Sequence, residues 1–248
     1  MNGWSFDRHG AVAVLTFRRP PVNLIDFAAL LELGDLLERC AAEPEGIKVV
    51  VLAGGTPGYF VNHADLADLE RAGKGLVPPE ELGSWDRALR LLEEIPQPTV
   101  AAIDGLASGG GNELALACTV RIGSVGARLE QPEVSVGIIP GGGGTVRLSR
   151  LVGPGVTADA VLTGRTFDAD EAVRVGWLTL LLPGDDFFGE VLRWTGRVAA
   201  APAAALSSAK RSIVAGSRMP FADAQQLEKS LFRALSANNT ALREDSNA

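Results

Sequence analysis

Residues 101–118 read AAIDGLASGGGNELALAC, which places a glycine triplet between an apolar segment and a run of strong helix formers. The apolar segment is typical of a buried strand, and the run that begins at Glu113 favours a helix. Glycines at the N-terminus of a helix let unpaired backbone N–H groups approach a ligand closely, and the helix dipole favours negative charge there. The stretch therefore predicts a site for an anion or an oxyanion.

Nucleotide-binding motifs fit this stretch poorly. Gly109 and Gly111 have the spacing of a dinucleotide-binding fingerprint, but Leu114 occupies the position of its third glycine. The stretch also lies in the middle of the chain rather than in an opening βαβ unit. A P-loop needs a Gly-Lys-Ser/Thr sequence, which this chain does not contain. Both motifs are therefore disfavoured.

The flanking sequence alternates between strand and helix patterns. Asp26 is a good N-cap for a helix whose leucines recur at helical spacing, and helical patterns dominate beyond residue 145. This order predicts an α/β fold with crossover connections, made of a core over residues 1–190 and a helical region over residues 191–248. Strands are predicted at residues 11–17, 47–53, 99–103 and 177–182, and further helices near residues 64–70 and over residues 79–94.

The composition is that of a globular protein, because 46% of the 248 residues are hydrophobic and only 21% are charged. A net charge of −7 disfavours nucleic acid as a partner, since the phosphate backbone requires clustered Lys and Arg. No uncharged apolar run reaches the about 18 residues of a membrane span, and residues 1–10 lack the apolar region of a signal peptide. Cys40 and Cys118 lie in segments with the pattern of buried helix faces, so no disulfide is expected. We therefore expect a cytoplasmic protein without a membrane partner.

Two glutamates stand close to glycine-rich segments. Glu113 follows the triplet, and Glu133 lies in an irregular stretch just before a second glycine cluster, GIIPGGGGT, at residues 137–145. Both have apolar neighbours, and partial desolvation of a carboxyl raises its pKa, so that it can exchange a proton near neutral pH. Glu113 and Glu133 are therefore candidates for a general acid/base pair.

Together these motifs resemble the signature of the crotonase superfamily, the enoyl-CoA hydratases and isomerases. The resemblance rests on residues 101–118, on Gln131-Pro132-Glu133 and on residues 137–148, and weaker similarity extends over roughly residues 11–212. It implies a spiral of ββα units with a helical C-terminal region that assembles homotrimers or dimers of trimers. It further implies an acyl-CoA substrate, with coenzyme A as part of that substrate, no separate cofactor and no metal.

The resemblance also implies roles for individual residues. Hydratases of the family use two glutamates whose positions match Glu113 and Glu133, and the presence of both favours hydration of a trans-2-enoyl-CoA. The two backbone N–H groups that stabilise a thioester enolate in this family match Ala64 and Gly110. Substrate or CoA contacts carry over to Val22, Asn62, His63, Asp65, Leu66, Gly109, Pro132 and Gly141.

The chain departs from the family pattern in three places. Phe-Ser-Ala-Gly-x-Asp-Leu appears here as FVNHADL at residues 60–66, so that Asn62 replaces a small residue and His63 replaces a glycine. Because glycine often stands where φ is positive, we expect a reshaped loop, with His63 either as an added polar group or as a tolerated loop residue. Thr119 replaces an aspartate and is expected to be structural. The family's C-terminal Gly-x-x-Ala-Phe-x-x-Lys-Arg motif is missing, which leaves Lys210 as a candidate for contact with a CoA phosphate.

Three other functions remain open. An enoyl-CoA isomerase, or another enolate-forming member of the superfamily, would use the same oxyanion site. A non-catalytic acyl-CoA-binding protein would fit the altered loop and the missing C-terminal motif. A serine hydrolase would use Ser108 and His63, but no convincing third partner accompanies them.

Overall fold

A computed structural model describes residues 3–183 and 185–238 of the chain. Strands and helices alternate through most of this part. The strands are β1 (Gly3–His9), β2 (Val12–Arg18), β3 (Val49–Gly54), β4 (Thr99–Ile103), β5 (Leu106–Ser108), β6 (Val120–Gly123), β7 (Arg128–Glu130), β8 (Phe167–Asp168) and β9 (Leu180–Leu181). The helices are α1 (Phe27–Ala41), α2 (Leu66–Gly73), α3 (Pro79–Leu82), α4 (Ser84–Glu94), α5 (Gly110–Ala117), α6 (Gly144–Val152), α7 (Pro154–Thr163), α8 (Ala169–Arg174), α9 (Phe187–Ala199), α10 (Ala203–Gly216) and α11 (Phe221–Asn238).

The strands form two sheets. The larger sheet has the order β1-β2-β3-β4-β6-β9, in which β1 and β2 are antiparallel and the remaining neighbours are parallel. The smaller sheet has the order β5-β7-β8. Because β4 is followed almost directly by β5, the chain passes from the first sheet into the second just before the glycine triplet.

The larger sheet is covered on both faces, as its continuous apolar strands predict. Leu15 and Leu52 lie opposite each other and pack into the cluster that contains buried residues of α1, α4 and α5. Val14 and Val51 point to the other face, where α9 contributes Val191. The predicted α/β layering is therefore present, with helices on each side of the sheet.

Most of the predicted elements are present, with shifted bounds. Asp26 caps α1 as expected, since its side chain accepts a hydrogen bond from Ala29 N at 2.8 Å. The helix predicted over residues 79–94 is broken at Gly83 into α3 and α4. Of the strand predicted at residues 177–182 only β9 is formed, and Trp177 lies before it, buried in the core. The antiparallel strand β1 was not predicted.

The predicted boundary at residues 190/191 falls inside α9. Phe187, Val191 and Ala199 of this helix are buried in the cluster that covers the larger sheet, so α9 packs as part of the core. Helices α10 and α11 contact each other. Residues 1–2, 184 and 239–248 of the two predicted regions lie outside the described residues. Within the described residues, no helix is both long enough and apolar enough to cross a membrane.

Candidate active site

A cavity of about 600 Å³ lies where α2, α4 and the N-terminus of α5 meet the segment that follows β7. Its wall is mostly apolar, with contributions from Leu66, Leu69, Trp85 and Ile139. Glu113 and Glu133, predicted from sequence as an acid/base pair, both line this cavity. An apolar cavity with two acids is suited to hold an acyl group and to exchange protons with it.

The amide of Ala64 is oriented by Ile25. Ile25 N donates to His63 O at 3.2 Å, and Asp65 N donates to Ile25 O at 2.8 Å, so both peptide groups that flank Ala64 are fixed. Because the C=O and N–H of a trans peptide point in opposite directions, the Ala64 N–H points away from Ile25. No acceptor for this N–H occurs among the described residues, and Ala64 lines the cavity.

The amide of Gly110 is oriented by the helix that it begins. Glu113 N donates to Gly109 O at 2.9 Å, which directs the Gly110 N–H out of the N-terminus of α5. A Cβ atom placed on Gly110 would lie 3.4 Å from Ala64 N and would overlap Trp85 Cη2. The two amides therefore open onto one small space, and glycine keeps that space free.

Gly111 attaches the Ala64 loop to α5. Gly111 N donates to Asn62 O at 3.0 Å. A Cβ atom on Gly111 would overlap the carbonyl group of Val61. The triplet thus has two separate purposes, because its middle glycine leaves room for a ligand and its last glycine allows the two backbone segments to touch.

Glu113 is buried, with 4% of its surface exposed. Its Oε1 accepts a hydrogen bond from Gly144 N at 2.7 Å. The pKa of this carboxyl is raised to about 7, mainly by burial and to a smaller extent by the nearby Glu133 carboxyl, against the lowering effect of the hydrogen bond from Gly144. Glu113 therefore changes its protonation state near neutral pH.

Glu133 begins a short 3₁₀ helix, Glu133–Val136, immediately after Pro132. Burial raises its pKa above the ordinary value for a glutamate, and the neighbouring Glu130 carboxyl acts in the same direction. Its Oε2 atom is buried and has no hydrogen-bond partner among the described residues. An unpaired carboxyl oxygen at a cavity wall is suited to bind a water molecule or a substrate atom.

The cavity brings together most of the residues that the sequence predicts for the site. Val22, Asn62 and Asp65 are outside its wall, and Asp65 instead caps α2 by accepting from Ala67 N and pairs with Arg19. The predicted residues that line the cavity are His63, Ala64, Leu66, Gly109, Gly110, Glu113, Pro132, Glu133 and Gly141.

The altered loop is less strained than its sequence suggests. Asn23 is the non-glycine residue with a positive φ in the described part of the chain, so neither Asn62 nor His63 adopts a backbone conformation that requires glycine. His63 lines the cavity, as expected of an added polar group. Thr119 is structural as predicted, since its backbone N and its hydroxyl both bond to Thr99.

The prediction that Lys210 contacts a CoA phosphate is wrong. Lys210 is 3% exposed, and its Nζ donates to the carbonyl oxygens of Leu92, Ile95 and Gln97 at 2.8–2.9 Å. All three ammonium protons are thus used inside the protein. The sequence around Lys210 has the pattern of an exposed helix face, so it predicted a surface cation. The carbonyl groups that bind Lys210 belong to residues 92–97, far away in the sequence.

The serine-hydrolase alternative lacks a nucleophile–base pair. The Ser108 hydroxyl donates to Glu130 Oε1 at 2.8 Å, and Ser108 is absent from the cavity wall. His63 Nδ1 instead bonds to Ala64 O at 2.8 Å. No sequence pattern indicated Trp85, which lies on α4 with its ring next to Gly110. No group of three or more His, Cys, Asp or Glu side chains within the described ranges is arranged to hold a metal ion.

Comparisons with known proteins identify the family of the chain. The family model for enoyl-CoA hydratase/isomerase matches residues 7–244. Crotonyl-CoA hydratase from Syntrophomonas wolfei is 32% identical over 228 residues, which are 91% of this chain and 86% of that protein. Short-chain-enoyl-CoA hydratase from Clostridium acetobutylicum is 31% identical over 234 residues, which are 94% of this chain and 88% of that protein.

Solved structures indicate the same family. The crystal structure of enoyl-CoA hydratase from Bacillus anthracis superposes with a TM-score of 0.84 at 32% identity, covering 94% of this chain and 90% of that chain. The predicted crotonase-like fold is therefore confirmed, and the chain belongs to the enoyl-CoA hydratase/isomerase family.

Proposed function

We propose that this protein is an enoyl-CoA hydratase that adds water to the double bond of a trans-2-enoyl-CoA. The observation that carries the proposal is the convergence of two free backbone amides, from Ala64 and Gly110, beside two carboxyls in one apolar cavity. Two relatives, 32% and 31% identical to this chain, are named crotonyl-CoA hydratase and short-chain-enoyl-CoA hydratase, which supports the same reaction here.

In the proposed mechanism the thioester carbonyl oxygen accepts hydrogen bonds from Ala64 N and Gly110 N. These donors stabilise the negative charge that develops as the enolate forms, and removal of one such donor typically costs about 2.7–4 kcal/mol of transition-state stabilisation. The apolar wall strengthens the effect because water is excluded from the site. The two amides form the oxyanion hole of the enzyme.

The two glutamates divide the proton transfer. Glu113 removes a proton from water as the water oxygen bonds to C3, while Glu133 holds the same water and gives its own proton to C2. Addition is syn because both acids act from one side of the substrate. One proton is shared by the pair at the start and at the end, so the active enzyme holds Glu113 ionised and Glu133 protonated. Burial raises the pKa of both carboxyls, which favours retention of a proton by the pair.

The remaining substrate contacts are assigned to the cavity wall. His63, Leu66, Gly109, Pro132 and Gly141 line the cavity and contact the acyl-thioester part of the substrate. The predicted CoA contacts at Val22, Asn62 and Asp65 stay predictions. The reaction needs no cofactor beyond the coenzyme A of the substrate, and no metal, since the two amides supply the electrophilic assistance.

The assembly that we propose is a homotrimer or a dimer of trimers. Large apolar side chains are exposed on α10 and α11, where Ile213, Phe221 and Phe232 have 65%, 81% and 66% of their surface accessible. Exposed apolar surface of this kind is typical of a contact between subunits. Sedimentation equilibrium is expected to give a mass three or six times the 25.9 kDa of one chain. A monomer at micromolar concentration would contradict the proposal.

We also propose that the protein works in the cytoplasm. Cys40 and Cys118 are buried and unpaired in the structure, as expected in a reducing compartment. Fractionation of cells of the source organism, with detection of the protein in the cytoplasmic fraction, tests this assignment.

The function is tested by turnover of a chain-length series of trans-2-enoyl-CoA thioesters, with loss of enone absorbance as the signal. We expect Glu113→Gln and Glu133→Gln each to lower kcat by about 10²–10⁴ and to retain acyl-CoA binding, since each removes one proton-transfer group. Glu94→Gln is the matched control, because Glu94 lies on the surface, forms an ion pair with Arg90 and is not part of the cavity wall. Binding without turnover for the whole series would refute a hydratase, and conversion of 3-enoyl-CoA alone would identify an isomerase.

A further inference from the structure

The cavity wall contains an imidazole where the family pattern has glycine. His63 is one of two histidines in the sequence, the other being His9 on the exposed strand β1. His63 is half-buried and follows directly on the loop that presents the Ala64 amide. An ionisable group at this position has no counterpart in the mechanism described so far.

The ring of His63 is fixed by the oxyanion loop. His63 Nδ1 lies 2.8 Å from Ala64 O. A carbonyl oxygen only accepts hydrogen bonds, so Nδ1 is the donor and carries a proton. The same peptide group is fixed at its other end, because Asp65 N donates to Ile25 O at 2.8 Å. In the neutral ring this leaves Nε2 as an acceptor, and in the cationic ring Nε2 is a second donor.

The side chains of His63 and Glu133 border the same small space beside Gly109. A Cβ atom placed on Gly109 would lie 3.3 Å from His63 Cβ and 3.2 Å from Glu133 Oε1. Glu133 Oε2 is buried, and the part of the chain that the structure describes offers it no hydrogen-bond partner. Other charged groups also act on the two glutamates. Glu130 raises the pKa of Glu133, whereas Glu133 raises and Arg147 lowers the pKa of Glu113.

We propose that His63 is a positioning residue that connects the oxyanion loop to the proton donor: its Nδ1–H holds the carbonyl of Ala64, and its charge favours release of the proton from Glu133. The proposal rests on the proposed hydratase function. Positive charge on His63 lowers the pKa of the Glu133 carboxyl, opposite to the effects of burial and of Glu130. It thereby makes Glu133 a stronger acid toward C2 of the substrate, and this effect requires no contact between His63 and C2 or C3.

The first test measures the ionisation of Glu133 directly and needs no substrate. The protein is labelled with ¹³C at glutamate Cδ, and the Glu133 signal is assigned by its loss in Glu133→Gln. In His63→Asn the amide Nδ2 replaces Nδ1 as donor to Ala64 O, but the side chain carries no charge. We expect the Glu133 titration to move to higher pH by about one unit, the size typical of a lost neighbouring charge. His9→Asn is the matched control and is expected to leave the titration unchanged.

The second test measures kinetics over a range of pH. Because Glu133 must be protonated at the start of the reaction, its titration sets the alkaline limb of kcat/KM, and in His63→Asn this limb is expected to move to higher pH. We expect kcat to fall a few-fold while KM is unchanged. His63→Gly removes both the charge and the hydrogen bond, and kcat is expected to fall further.

The outcomes separate the two proposals. An unchanged Glu133 titration and superimposable pH profiles in His63→Asn would overturn the role of His63, even if hydration is fast. Absence of hydration by the unaltered protein would overturn the proposed function, and the ¹³C titration would still decide whether His63 acts on Glu133.

Discussion

Replacement of Gly110 by alanine tests the oxyanion hole more sharply than replacement of either acid. The added methyl group would lie 3.4 Å from Ala64 N, in the space onto which both amides open. It would also overlap Trp85 Cη2, so the half-buried ring of Trp85 must shift. Proline would delete a backbone N–H but would also fix φ and disturb the local backbone, so obstruction of the oxygen position is the less disruptive test.

The expected loss follows from the number of donors that are obstructed. Loss of one oxyanion donor lowers kcat by about 10²–10³, equivalent to about 2.7–4 kcal/mol. Since the methyl group lies between the two amides, we expect at least this loss in Gly110→Ala. Hydration of crotonyl-CoA is measured as the decrease in enone absorbance, and acyl-CoA binding is measured separately by calorimetry. Binding is expected to weaken less than kcat, because the charge develops only in the transition state.

The matched control is Gly155→Ala. Gly155 also lies in the first turn of a helix, α7, and a methyl group there would meet no atom within 4 Å. Thermal unfolding of both variants separates misfolding from obstruction. If Gly110→Ala folds normally and retains activity within about threefold of the unaltered protein, a value far below the loss of one donor, the assignment of Ala64 and Gly110 as oxyanion donors is refuted.

Three further predictions follow from the same contacts. First, kcat/KM is expected to fall as the pH drops below about 7, where Glu113 becomes protonated and cannot act as a base, and an activity that stays constant to pH 5 would contradict this role. Second, because the pKa of Glu113 is raised, the folded protein keeps a proton that the unfolded chain releases, and the free energy of unfolding therefore falls as the pH rises toward 7. Glu113→Gln is expected to remove this fall. In urea titrations at pH 8 the variant is expected to be more stable by about 3 kcal/mol. Third, Lys210→Met leaves three buried carbonyls without their donor and is expected to lower the free energy of unfolding by about 3–5 kcal/mol, whereas Arg211→Met, at an exposed neighbouring position, is expected to change it by less than about 0.5 kcal/mol.

The fold was predictable because its central strands are continuous apolar runs. The strand at residues 99–103 was predicted with the bounds that β4 has in the structure, and α1 begins after its predicted cap Asp26. Elements whose stability comes from pairing with distant strands were missed. Strand β1 has mostly exposed side chains and forms because it pairs with β2, a contact that local periodicity does not reveal.

The site was predictable where a short motif contains all the atoms that matter. The glycine triplet and Glu113 lie within one turn of α5, so their spacing in sequence fixes their spacing in the structure. Trp85 and Lys210 depend on contacts between segments far apart in the chain, and sequence position carries no information about such contacts. Lys210 in particular has the sequence context of a surface cation, yet its partners Leu92 to Gln97 precede it by more than a hundred residues. The roles of the glutamates and amides stay predictions that the experiments above decide.

The second glycine cluster is explained by the acid that it covers. A Cβ atom on Gly142 would lie 2.5 Å from Glu113 Oε2, and one on Gly144 would lie 3.0 Å from Glu113 Oε1. Side chains at these positions would force the carboxyl out of the cavity wall or would remove its hydrogen bond from Gly144 N. The glycines therefore let the backbone of the cluster pack closely on Glu113, and burial raises the pKa of the carboxyl while the Gly144 amide keeps it oriented. The two glycine clusters therefore have opposite effects. The first leaves space for an oxyanion, and the second lets the backbone pack closely around a base. A proton-transfer site next to an oxyanion hole needs both arrangements.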